Sequence, residues 1–163
     1  MEGVLIRDVT PGDLDALTAL RPPRALHEER IAPADDDHKR YVMAIVDNAP
    51  VGFGVIYFRG DPMWKRPDQV PLMMDLWVAP SHRRRGIGRR IAEVLEQSAR
   101  ERGFSCVYLQ VQSERNPEAV QMYERMGYQK LQQEPHKNFY AEVDEQGEVR
   151  EGQEMILDMR KWL

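Results

Sequence analysis

The residue types best suited to chemistry sit close together. Between Ala79 and Arg90 the chain reads Ala-Pro-Ser-His-Arg-Arg-Arg-Gly-Ile-Gly-Arg-Arg, with five arginines and two glycines in its last eight positions. Glycine removes the side chain that would hold a phosphate away. A helix opening directly after such a turn presents unpaired backbone N–H groups and the positive end of its dipole. Arginine adds mobile positive charge. The pattern therefore reads as a pyrophosphate cradle. It lacks the Gly-Lys-Ser/Thr of the P-loop and the three-glycine spacing of the dinucleotide fingerprint. An ordinary turn carrying a solvated arginine face is the other reading of the same residues.

Other chemistries find little support. A lone cysteine, Cys106, can form no intrachain disulfide and no thiolate cage. His27, His38, His82 and His136 lack the His-x-x-x-His spacing that puts two ring nitrogens on one helix face, so no metal is expected. The net charge of −4 argues against non-specific binding of nucleic acid, which is driven by phosphate neutralisation. Charged residues make up 31% of the chain, and the longest apolar runs fall well short of the roughly 18–20 residues a membrane helix needs. With no secretory pattern at the N-terminus, a cytoplasmic location is expected.

The elements that position the arginine–glycine run follow from periodicity. Residues 72–78 read as a strand leading into it. After Gly88 the residues Ile91, Val94, Leu95 and Ser98 fall on one helical stripe, which Gly103 is placed to end. A strand over 105–111 follows. Asn116-Pro117-Glu118 then starts a helix with a capping side chain, a proline in the first turn and an acid at the positive dipole end. Its inner stripe is Ala119, Met122, Tyr123 and Met126, and a strand over 128–131 comes next. Upstream lie a strand at 4–9, a helix that Thr10 caps and Pro22-Pro23 ends, a short helix over 24–31, and a hairpin of strands 41–46 and 51–58 turning at 47–50. Residues 59–71 are too rich in proline for regular structure. Strands at 139–143 and 155–159, turning at 144–147, complete one domain over 1–163. The order is mixed α and β, with strand–helix–strand crossovers in the second half.

Val78-x-Pro80, Arg83-x-x-Gly86-x-Gly88, an amphipathic helix, a strand, then Asn116-Pro117-x-Ala119-x-x-x-Tyr123-x-x-x-Gly127-Tyr128 stand in the order and spacing of a known family. Over 51–131, and more loosely to both ends, the chain resembles the GNAT superfamily of N-acetyltransferases. The resemblance implies an α/β (α+β) domain with a mixed, mostly antiparallel sheet, a central V-shaped splay between strands 72–78 and 105–111, and flanking helices. It implies acetyl-CoA as acyl donor and no metal. Leu76, Trp77 and Val78 would present backbone groups to the pantetheine arm. Arg83, Arg84, Arg85, Gly86, Ile87, Gly88 and Arg89 would hold the pyrophosphate, and Asn116 would touch the CoA arm besides capping its helix. Tyr123 matches the tyrosine that lies near the CoA sulfur and protonates the departing thiolate, a task suited to a phenol of reference pKa about 10. It also fits a packed core tyrosine.

The general base is open. Some relatives place a glutamate where this chain has Gln110, and an amide cannot usefully accept a proton. Asp75 is the preferred substitute, since strand alternation puts it on the face opposite Leu76, within reach of an acceptor amine through water. Glu114 and the Asp35–Asp37 loop are alternatives. That loop, with Glu28 and Glu29, favours a small cationic amine as acceptor over a peptide N-terminus or lysine. Met63, Trp64, Met73, Met74 and Trp77 offer either an apolar wall or core packing. Residues 136–150 are expected to form a hairpin that lines the acceptor cleft or makes a homodimer contact. A non-catalytic acyl-CoA sensor is the alternative from another class, and Gln110 is its one supporting feature.

Overall fold

The computed structural model describes residues 3–31, 37–59, 68–144, 146 and 148–163. Asp35, Asp36, Met63 and Trp64 lie outside that set. The elements run β1 (Val4–Asp8), α1 (Leu14–Leu20), α2 (Arg24–Arg30), β2 (Lys39–Val46), β3 (Ala49–Tyr57), β4 (Leu72–Val78), α3 (Ile87–Glu101), β5 (Cys106–Gln112), α4 (Pro117–Arg125), β6 (Gln129–Lys130), β7 (His136–Val143) and β8 (Val149–Trp162). The strands form one sheet in the order β1-β2-β3-β4-β5-β8-β6, with β7 also paired to β8. Every pairing is antiparallel except β4 with β5.

That parallel pairing is short. β4 and β5 meet only at Leu72–Tyr108 and Met73–Leu109. Beyond it β4 continues on β3 as far as Val78, and β5 on β8 as far as Gln112. The sheet therefore opens into a V between the C-terminal halves of β4 and β5, as the family resemblance implies.

Period-two alternation along the strands supplies two cores. On one face α3 and α4 pack Ile91, Leu95 and Val120 against Ile56, Leu109, Val111, Leu157 and Met159. On the other, Leu17 of α1 packs with Tyr41, Phe53, Val55 and Tyr57. Gly54 allows α3 to lie close to β3: a methyl group there would stand 2.9 Å from Ile91 Cγ2. Opposite Gly54, β4 bulges, because Phe53 pairs with Trp77 and Val55 with Met74, leaving Asp75 and Leu76 between them.

Several expectations shift in detail. The hairpin turns on Asp47-Asn48 alone, both at positive φ (49° and 63°), the geometry whose twist matches the flanking strands. Thr10 caps by an inverted route: its N–H and hydroxyl both donate to Asp13 Oδ2 (2.8 and 2.9 Å). Arg7 grips the same carboxylate with two bonds of 2.7 and 2.8 Å and holds it below the usual range. α4 buries Val120 and Tyr123, and Met126 just past its end is buried too, while Ala119 and Met122 are only half-buried. The C-terminal unit is much longer than its apolar cores suggested, with β8 spanning 14 residues.

Candidate active site

A cleft of about 650 Å³ lies where the sheet splays, walled by the end of β4, the turn into α3, the first turn of α3 and one side of α4. Ten of the twelve residues singled out for the donor line it: Leu76, Trp77, Val78, Arg83, Arg84, Gly86, Ile87, Gly88, Arg89 and Asn116. Arg85 and Tyr123 do not. The chain reverses at Arg84, which takes φ 60°, and Arg85 is exposed away from the lining. Tyr123 sits on the sheet-facing side of α4, one residue beyond Met122 on the rim.

The turn has the geometry that suits an anion. Gly86 adopts the left-handed conformation, φ 75°, immediately before a helix of 15 residues, so the first N–H groups of α3 open onto the cleft. Gly88 leaves a further gap: a Cβ there would meet no atom nearer than 3.7 Å. Arg83 Nε donates to the Val78 carbonyl at 2.8 Å, tying the turn to β4. Arg89 is steadied by Glu93 at 2.8 Å.

α4 adds lining that motif reading passed over: Glu118, Ala119, Gln121, Met122 and Arg125. Its signal was present, because with Val120 and Tyr123 turned inward these positions form the adjacent helical stripe. His82 is a further addition. Asn116 occupies the N-cap position and lines the cleft, yet its side chain makes no capping bond; its backbone carbonyl takes the N–H groups of Ala119 and Val120.

Tyr123 is 8% exposed and packs edge-to-face on Tyr128, with centroids 5.5 Å apart. Burial pushes its phenol pKa well above the ordinary value, and the nearby charge of Asp75 adds to the rise. Its hydroxyl makes no hydrogen bond among the described residues.

Asp75 lies on the face opposite Leu76, as strand alternation predicts, but its carboxylate is taken up there by arginines. At φ 49° it lies in the bulge of β4, and its carboxylate turns to α1 and α2, where Arg21 Nη1 donates to Oδ1 at 2.9 Å and Arg30 Nη1 to Oδ2. Burial pushes its pKa up, but Arg30 and Arg21 outweigh that and hold it below the ordinary carboxylate value. A carboxylate so held is a poor proton acceptor. Arg21 also lies 5.5 Å over the Trp77 ring, which stacks on Phe53, so the apolar wall on this side is capped by a guanidinium. Of the acidic residues expected to draw a cation, Asp37 is paired with Arg102 and Glu28 with Arg24, and Asp35 and Asp36 lie outside the described residues. Cys106 is free and buried in β5. Among the described residues no three His, Cys, Asp or Glu side chains are grouped as a metal site, and no helix is long and apolar enough to cross a membrane.

The profile of the Acetyltransferase (GNAT) family matches residues 11–128, which holds both walls of this cleft. The chain belongs to the GNAT acetyltransferase family. This GNAT protein is 33% identical over 94 residues to streptothricin acetyltransferase of Streptomyces lavendulae, a match covering 58% of the chain and 46% of that relative, so it spans about half the relative's length. Its fold superposes on the ribosomal-protein-S18-alanine N-acetyltransferase of Escherichia coli with a TM-score of 0.71 at 17% identity, over 98% of this chain and 93% of that one. A GNAT acetyltransferase from Elizabethkingia anophelis with acetyl-CoA bound superposes at 0.64 with 15% identity, over the full length of both. These two likenesses show the GNAT fold.

Proposed function

We propose that this chain transfers an acetyl group from acetyl-CoA to a primary amine of a small cationic molecule, by direct attack of the amine on the thioester. The observation that carries the reading is one continuous cleft joining a helix N-terminus stripped of side chains at Gly86 and Gly88 to the open edge of β4. The first part suits a pyrophosphate and the second an extended amide-bearing arm, which are the two ends of CoA. Arg83, Arg84, Arg89 and Arg125 supply the countercharge. Backbone N–H groups of β4 at the splay stabilise the oxyanion of the tetrahedral intermediate in this reading. Tyr123, kept as a neutral phenol by its surroundings, passes its proton to sulfur while taking the one that the acceptor nitrogen sheds. Acetyl-CoA supplies the activated acyl group.

A small cationic acceptor is supported by the net charge of −4 and by the relative named for streptothricin. The test is colorimetric release of CoA thiol from acetyl-CoA in the presence of streptothricin, spermidine, aminoglycosides, amino acids and short peptides. Turnover with the cationic small molecules is expected. Turnover confined to peptides would move the acceptor class to protein amines. Tight binding of acetyl-CoA with silence across the panel would indicate an acyl-CoA sensor.

A further inference from the structure

On the sheet face opposite α3 and α4, three side chains form a row across adjacent strands. Val107, Leu109, Val111, Leu157 and Met159 face α3 and α4, so alternation turns Gln110 of β5 and Asp158 of β8 the other way. The two are directly paired across the ladder, and Gln110 Nε2 donates to Asp158 Oδ1 at 2.9 Å. Asp158 is 2% exposed. Its other oxygen, Oδ2, accepts from Nε2–H of His136 on β7, also at 2.9 Å. The His136 side chain is 40% exposed, and with Nε2 on Asp158 its other ring nitrogen, Nδ1, makes no hydrogen bond among the described residues. Gln110 follows Leu109, the last residue of β5 paired to β4, and so stands where the splay begins.

We propose that His136, oriented by Asp158, is the general base that takes the proton of the acceptor ammonium, with Asp158 as its positioning residue. This rests on the acetyl-transfer reading above. An amide at Gln110 cannot accept the proton, and both oxygens of Asp75 are held by arginines. The buried carboxylate at Asp158 is one strand further on, and it holds an imidazole in the tautomer that leaves Nδ1 unprotonated. Nδ1 takes one proton from the ammonium. The freed nitrogen lone pair forms the C–N bond and the C–S bond breaks. The proton lost by nitrogen as the amide forms balances the proton gained by sulfur, and the imidazolium returns its own to water. The groups facing His136 are Asp158 and Glu154 on β8, followed by Arg160, the neutral Gln110 and Gln112 on β5, and Asn138 on its own strand.

The experiment measures kcat/KM against pH with streptothricin and spermidine as acceptors, for the wild type, His136→Gln and Asp158→Asn, with calorimetric titration of acetyl-CoA on each. His136→Gln should lower kcat/KM at pH 7 about 100-fold and abolish the acidic limb, with acetyl-CoA affinity within about twofold. Asp158→Asn removes the carboxylate that orients the ring, so kcat should fall while KM for the amine and acetyl-CoA affinity stay within about twofold. If Asp158→Asn does not fold, the His136 variant decides alone, since that side chain is partly exposed. A wild-type rate or an intact acidic limb in His136→Gln overturns the base. A wild type that binds acetyl-CoA but acetylates neither amine overturns the cationic-amine reading and the base with it.

Discussion

Tyr123 and Gly86 act through different parts of their residues. Among the described residues the Tyr123 hydroxyl makes no hydrogen bond, so Tyr123→Phe deletes one oxygen and leaves the packing on Tyr128 in place. Thiol-release turnover should fall about 100-fold, the low end for loss of a general acid, while acetyl-CoA affinity by calorimetry and the Tm stay near wild type. An unchanged rate would make it a core residue. Gly86 offers only its backbone. At φ 75° any other residue is strained, and Gly86→Glu adds a carboxylate where phosphates are expected. Acetyl-CoA binding should be lost. Gly103→Ala is the control: its φ is 82°, nothing lies within 4 Å of its would-be Cβ and it ends α3 far from the cleft, so it should cost stability and leave binding unchanged.

At the scale of elements, β4 divides its labour at the bulge. One side of it lines the cleft, and the other side anchors α1 and α2 through Asp75. Arg30 has only 7% of its side chain exposed and Asp75 accepts from it, so Asp75→Asn, which keeps a left-handed conformation accessible, leaves a buried cation without its counterion. The expected loss is about 3 kcal/mol, read as a lowered midpoint in urea unfolding. An unaltered midpoint with abolished turnover would return Asp75 to the chemistry. The strand's existence and its 72–78 bounds were legible from composition. The bulge was not, because it depends on how Gly54 of the neighbouring strand meets α3. Likewise the face of α4 was legible to within one position, but Val120 was missed because the sheet, not the helix, decides which stripe points inward.

For the whole molecule, buried titratable groups set the pH range of stability. His27 is fully buried between the Tyr41 hydroxyl and the Arg21 carbonyl (2.7 and 2.6 Å), and burial lowers its pKa below the ordinary 6.5. The unfolded chain therefore binds a proton that the folded one refuses, and stability falls as pH drops below about 6.5. Asp13 and Asp75 are also depressed, so their contributions are full above the ordinary 3.8 and are lost as pH falls below it. Tyr41, Tyr123 and Tyr128 are raised, each by burial first, so their contributions are full below the ordinary 10.0 and decline above it. Thermal unfolding followed by circular dichroism should show a Tm plateau from about pH 7 to about 9.5. A Tm still rising from pH 6 to pH 4 would contradict these assignments.

Whatever depends on local chain chemistry was settled by the sequence alone: the glycines that turn the chain into α3, the arginines around them, the helix starts at Thr10 and Asn116, and the order of strands and helices. Each is a property of neighbours along the chain, where dihedral preference and periodicity act. Only the tertiary structure decided which charges meet. Asp75 meets arginines 45 and 54 residues away, and Gln110 meets Asp158, 48 residues on. Sheet order and strand register bring such partners together, and neither is written in any single segment.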